Sequence, residues 1–300
     1  MTATLLSEVV LPHLPSASGV EIIGATAYVI SDDAPFLYLL DAATLAATGR
    51  VALFETADFT TGRIPKATKP DLESMAAVGG PTAEVGLLLL GSGSGPHREV
   101  GYYVRGLPPG ESAPLVERLE LRQLYDQLRP HLPAGAVLNL EAVATSTTDL
   151  LLLQRAVGGG PAQLFSFPLA PALAHLRAPG TPAPPLGLVH SFKLPTLEGH
   201  AAGFSGATFV GGVLFVTASV EATTDAVLDG AVLGSFVGMV DVQTQTATFA
   251  RLGWADGRPY RGKVEGLAVR RILGPGWLEL LLVTDDDLGG SSALVAEVRV

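Results

Sequence analysis

Three features of the sequence predict an all-β chain folded as a five-bladed β-propeller closed by its own N-terminal strand. Five units recur, each opening on a short apolar strand with Ser or Glu near its start: Ser18, Glu73, Glu141, Ser205 and Glu265, at spacings of 55, 68, 64 and 60 residues. Each unit then runs through a second strand, a loop and a third strand, and four of them offer a fourth. Four short antiparallel strands repeated every ~40 to 60 residues are the signature of a propeller blade. Finally, 35 Gly and 22 Pro against only 16% charged residues imply many tight turns rather than long helices.

The blades read as 14–58, 69–121, 137–195, 203–253 and 263–300, in one domain spanning 1–300. Second strands are "AYVIS", "LLLLGS", "LLLLQ", "LFVTAS" and "LLLVTDD"; third strands are "FLYLLD", "VGYYV", "QLFSFPL", "SFVGMVDV" and "ALVAEVRV". Fourth strands fall at "TGRVALF", "LVERLEL", "GLVHSFKL" and "TATFARLG". The last unit ends at Val300 after its third strand, so the strand over 3–12 supplies its fourth. Closure of this kind removes an open sheet edge. One segment departs from the pattern. Leu121, Leu124, Leu128 and Leu132 recur at helical spacing and predict a short inserted helix over 121–132, which Pro130 ends or kinks. The Pro-rich stretch 177–187 reads as a loop within a blade.

Composition narrows the function classes. With 48% hydrophobic residues the chain buries a large core, yet its apolar runs are strand-length, far below the ~18 residues of a membrane span. The N-terminal stretch lacks the basic region of a signal peptide. Absence of cysteine excludes disulfides and thiolate metal sites. Together these predict a cytoplasmic protein without membrane association. A net charge of −10 and a pI near 5.0 argue against nucleic acid and for a small ligand or a cation.

The innermost strand of each blade lines the channel of a propeller, so the five aligned residues form a ring. Three converging carboxylates, Glu73, Glu141 and Glu265, cannot all stay ionised in a partly dehydrated channel without compensation. A calcium ion, which accepts six to eight oxygen ligands, fits Ser18, Glu73, Glu141, Ser205 and Glu265 better than magnesium or zinc does. Ordered water is the plainer alternative.

Turns between second and third strands put Asp32, Asp33, His97, Arg98, Arg155, Glu221, Asp225 and Asp285 to Asp287 on the face where the inner strands begin. Blade-to-blade connections add Arg63, Lys66, Lys69, Arg258, Arg261 and Lys263. Three of the four lysines precede a ring Glu, which suggests a small anionic, phosphorylated ligand beside the cation; ordinary solvation of loop charges is the other reading. "GSGSG" lacks the Lys-Ser/Thr ending of a phosphate loop, and no G-x-S-x-G elbow is present.

The ring order, with "GFSGATF" around Ser205, "KVEGLAV" around Glu265, "VISDD" after Ser18 and "LLLLQRA" after Glu141, resembles the calcium-activated nucleotidase (apyrase) family. More distantly, the Glu-bearing strand is similar to that of phytase-like metal-centred propellers, which often have six blades. The nucleotidase resemblance implies an axial calcium and hydrolysis of phosphoanhydrides or phosphoesters. It assigns the five ring residues to the metal, and Asp33 and Arg155 to the active face. Lys69, Lys263, Arg98 and Arg155 would then neutralise phosphate, with Asp33, or an acid of the run Asp285 to Asp287, positioning or deprotonating the water. Two departures stand out: Ala34-Pro35 replaces the expected basic residue, and no aromatic platform for a nucleobase is evident. A non-catalytic scaffold with a structural calcium, and a metal-dependent lactonase or esterase, are the alternative functions.

Overall fold

The chain opens with β1 (Thr2–Val10), which joins the last blade rather than the first. In the computed structural model, residues 1–79, 85–108, 113–155, 162–178, 180–223 and 230–300 are described. Blade 1 holds β2 (Ala17–Ile23), β3 (Thr26–Ser31), β4 (Phe36–Asp41) and β5 (Ala47–Ala52). Blade 2 holds β6 (Leu72–Val78), β7 (Gly86–Gly91), β8 (Val100–Arg105) and β9 (Leu115–Glu120). Blade 3 holds β10 (Leu140–Thr145), β11 (Asp149–Gln154), β12 (Ala162–Pro168) and β13 (Val189–Phe192). After a small hairpin of β14 (Thr196–Leu197) and β15 (His200–Ala201), blade 4 holds β16 (Gly203–Val210), β17 (Val213–Glu221), β18 (Val232–Asp241) and β19 (Thr246–Arg251). A two-residue strand, β20 (Gly253–Trp254), precedes blade 5, made of β21 (Lys263–Gly274), β22 (Trp277–Asp285), β23 (Ser291–Arg299) and β1.

The five inner strands touch in cyclic order, β2 to β6, β10, β16, β21 and back to β2. Closure is as expected from the sequence: β1 pairs antiparallel with β23 from Thr2↔Arg299 to Val10↔Ser292. The apolar runs follow from this geometry, because each blade is buried on both faces. Leu87 and Leu89 of β7 face blade 1, whereas Leu88 and Leu90 face blade 3. Likewise Leu150 and Leu152 of β11 face blade 2, and Leu151 and Leu153 face blade 4. Five such inter-blade cores, not one central core, account for the mean hydropathy of +0.38. Among the described residues, no helix is long and apolar enough to cross a membrane.

The inner strands share a second feature that the repeat did not reveal. In each, the pairing register skips the residue at the ring position, Ser18, Glu73, Glu141, Ser205 or Glu265, and the longer β21 shifts register twice more toward its far end. A β-bulge of this kind re-aims one side chain out of the ladder. The following residues are small: Gly19, Ser74, Ala142, Gly206 and Gly266. They must be small where inner strands converge, since a Cβ on Gly266 would lie 2.9 Å from the Cα of Gly19 and 3.0 Å from the amide nitrogen of Val20.

Helix α1 (Arg122–Leu128) is the inserted helix, and Pro130 lies in the 3-10 turn that ends it. The expectation of a single helix needs correcting. A second, α2 (Leu169–Arg177), stands between β12 and β13, directly before the Pro-rich loop. Leu169, Ala172, Leu173 and Leu176 give it one apolar face, which packs on the core between blades 2 and 3.

Glu21 on β2 is buried, accepting the Ala77 amide at 3.2 Å. Burial pushes its carboxyl up to about 7, against the two backbone hydrogen bonds that lower it. Between its ordinary value of 4.5 and about 7, the folded chain keeps a proton that the unfolded chain releases. This group's contribution is therefore complete at low pH and lost as pH rises through 7, about 3 kcal/mol in all. Glu21→Gln is expected to be increasingly more stable than the wild type as pH rises from 5 to 8, measured by urea denaturation. A difference that does not change with pH would refute this.

Candidate functional site

Loops at the start of the inner strands enclose a funnel of about 530 Å³ on the propeller axis. Ser18, Glu73, Glu141 and Glu265 line it, and beneath it the same four residues border a narrow void closed by Gly206 and Gly266. The bulges aim these side chains inward, as the ring requires. Ser205 is the exception. It lines neither space, and its hydroxyl lies 3.3 Å from the Thr217 and Ser219 hydroxyls of its own blade. Asp33, Lys69, Arg98, Arg155 and Lys263 all line the funnel, as do Asp32, Arg63, Lys66, His97, Asp285 and Asp287. Arg258 and Arg261 do not: they are exposed and lie near Asp256 and Glu198. Asp286 caps its own turn through the amides of Leu288 and Gly290. Asp225 lies outside the described residues.

Eight carboxylates and six lysine or arginine side chains share this lining. Two lysines sit at the centre of carboxylate clusters. The Lys69 ammonium contacts Asp32, lies 3.1 Å from Asp33 and 3.3 Å from Asp71, and is itself buried. The Lys263 ammonium lies 2.9 Å from Glu265, 3.1 Å from Asp287 and 3.4 Å from Glu221. Arg155 connects Glu141, at 3.3 Å, to Glu221, so charge runs unbroken from blade 5 through blade 4 to blade 3. On the other side Arg63 holds Asp33 and Arg98 holds Asp71, the latter at 2.8 Å. Burial opposes the charge on Lys69, but Asp32, Glu73, Asp71 and Asp33 together hold its ammonium above the ordinary lysine range.

Glu73 is where this compensation fails. Burial first, then Glu141, Asp71 and Asp32, push its carboxyl well up, with Lys69 the opposing charge. Ligand oxygens of Asp32, Asp71 and Glu73 all come within 4.8 Å of one another. Asp32 is pushed up to about 7, burial outweighing Lys69, and one of its oxygens is buried without a hydrogen-bond partner. Oε2 of Glu265, a residue only 4% exposed, is also unpartnered, and burial is the main reason its carboxyl is pushed up to about 8.

Asp71 escaped the sequence reading, though a signal for it exists. Two residues before each ring position stand Ser16, Asp71, Asn139, Gly203 and Lys263, a second layer in the same register. Ser16 and Asp71 both hold the left-handed backbone, with φ of 41° and 57°, and Ser16 donates to Asp33 at 3.0 Å. Asn139 donates to Glu141 at 2.6 Å, two residues on, just as Lys263 meets Glu265.

Residues 13–298 match a family described as of unknown function, DUF6929. The chain belongs to the DUF6929 family. Among curated proteins, no sequence matches this DUF6929 chain. Among solved structures it is similar to a glutaminyl cyclase from Myxococcus xanthus, with a TM-score of 0.53 and 13% identity over 100% of this chain and 97% of the other. A hypothetical protein from Leishmania major aligns at TM-score 0.44 and 12% identity, over 98% and 89% of the two chains. A GH43 endo-arabinanase from Bacillus licheniformis aligns at 0.43 and 11%, over 95% and 93%. At such identities the first likeness establishes the fold of this DUF6929 member and nothing of its chemistry.

Proposed function

We propose that this DUF6929 propeller binds a divalent cation in its axial funnel, with Asp32, Asp71 and Glu73 as ligands and Ser18, Glu141 and Glu265 facing them. The observation that carries the reading is Glu73, a half-buried carboxylate turned toward three others with one lysine to oppose them. The donor set fits calcium because it is all oxygen. Ser18 donates its proton to the Leu72 carbonyl at 2.5 Å, and a hydroxyl used this way keeps lone pairs for a cation. The buried oxygens of Asp32 and Glu265 without hydrogen-bond partners are acceptors that a cation would satisfy. A bound calcium would stabilise the inner strands and, with a substrate present, would polarise an oxygen of that substrate.

A second reading adds hydrolysis of a small phosphorylated ligand at the same site. The favouring observation is that Arg63 and Arg98 stand in the lining beside Asp33 and Asp71. Against a nucleotide, no Phe, Tyr or Trp lines the funnel among the described residues. Lys69, Arg155 and Lys263 are already ion-paired, so a phosphate would have to exchange with carboxylates to reach them. This favours a binding scaffold over a phosphohydrolase.

The test is thermal unfolding of chelator-treated protein with calcium or magnesium added. Calcium at a hundredfold excess over Kd is expected to stabilise by about 2.7 kcal/mol, with a smaller effect from magnesium and none in Glu73→Gln. No calcium shift in the wild type, with no bound metal by elemental analysis, would overturn the reading. Release of phosphate from small phosphoesters by the calcium-loaded protein would establish the second.

A further inference from the structure

Lys69 is one of four lysines in the chain, and its position is unusual for the residue type. Its ammonium stands among Asp32, Asp33 and Asp71, and two of those three belong to the group whose oxygens converge within 4.8 Å with Glu73. The residue that neutralises this cluster therefore occupies the place a cation would take. An ammonium is monovalent and strongly hydrated in water, and burying it is costly unless carboxylates surround it. Here they do, and the arrangement leaves Glu73 only partly compensated.

We infer that Lys69 is a tethered counter-ion, which holds the Asp32–Asp71 cluster together until a divalent cation displaces it. This rests on the cation reading given above. The backbone geometry suits such an exchange. Lys69 sits in the turn-rich connection from β5 to β6, where most residues from 55 to 68 are exposed and its amide is held by the Pro65 carbonyl at 3.0 Å. The funnel gives a displaced side chain room to swing into. Two contacts keep the connection in place without the ammonium: Ile64 donates to the Asp33 carbonyl at 2.7 Å, and Arg98 to that of Lys66 at 3.2 Å. The cluster around Lys263 has the same form, but its lysine projects from an inner strand rather than from a loop. The loop lysine is thus the one free to leave.

The experiment compares wild type, Lys69→Met and Lys69→Gln by calorimetric titration of chelator-treated protein with calcium chloride, with circular dichroism to verify the fold. Removing a like charge within contact distance of the site is expected to raise calcium affinity by about tenfold or more. In chelator the variants should melt below wild type, and calcium should recover that loss. Wild type that binds calcium, with variants binding no tighter, would overturn the counter-ion role and leave the cation reading standing. Binding by the variants alone would overturn both the cation reading and the displacement, leaving Lys69 a permanent substitute for the cation. Binding by none would overturn both.

Discussion

Replacing Arg155 with Met is expected to destabilise the protein by about 3–5 kcal/mol, the range for a buried ion pair broken from one side. Arg155 comes from the end of β11 in blade 3, and its guanidinium holds Glu141 of the same blade and Glu221 of blade 4. Both carboxylates are buried. Burial works against ionisation of Glu221, yet Arg155 and Lys263 hold its carboxyl below the usual range. With Met at 155, Asn139 still donates to Glu141, and Lys263 still approaches Glu221, so the loss should fall toward the lower end of the range. Because the folded carboxyl of Glu221 is depressed, the wild-type advantage is present above the unfolded value near 4.5 and lost as pH falls below it. Urea denaturation of wild type, Arg155→Met, Glu221→Gln and the double variant measures the coupling. The double variant should lose less than the sum of the singles, since it removes the stranded charge along with its partner. A wild-type midpoint for Arg155→Met would mean that the funnel is solvated well enough for its charges to act independently.

The ring was legible in sequence because the repeat holds one register: a strand of Ser or Glu followed by a small residue can be aligned without knowing the fold. The reason for that pair of residues was not legible. A bulge at each ring position, and inner strands near enough that Gly266 meets the backbone of Gly19, are facts of the closed ring and not of any single strand. Ser205 shows the limit of register. It has the bulge, but two hydroxyls of its own blade, Thr217 and Ser219, keep it within the blade. Helix α2 went unseen because nine residues ahead of a Pro-rich loop give little over two turns of periodicity. The charge pairing was hidden for a different reason. Lys69 and Asp32 are 37 residues apart in sequence, and Arg155 and Glu221 are 66 apart. Of the basic residues that read as a rim for an anion, Lys69, Arg98, Arg155 and Lys263 turn out to be held by carboxylates of their own or a neighbouring blade.

Removal of β1 is expected to have the largest effect of any change proposed. The strand is the fourth of blade 5, flanked on its outer side by the two-residue β20 at Thr4 and Leu5, and it carries more than an edge. Ala3 and Leu5 are buried in the core between blades 4 and 5, and Leu11, just beyond the strand, donates its amide to the Ser291 carbonyl. Loss of the Leu5 side chain alone would cost about 2–5 kcal/mol, a large share of the ~5–15 kcal/mol that separates folded from unfolded domains. Deleting residues 1–10 also strips β23 of its partner from Ser292 to Arg299, exposing an unpaired edge that invites aggregation. The truncated chain should express as insoluble protein, or melt more than about 10 °C below the full chain. A synthetic peptide of residues 1–12 should rescue it, adding as a strand to that edge and burying Leu5 again. Rescue by this peptide, but not by one carrying Asp at position 5, would show that the strand closes the ring through its side chains as well as its hydrogen bonds. A truncated chain that melts with the wild type would mean that the four remaining blades and the three-stranded remnant of the fifth hold the ring without a clasp.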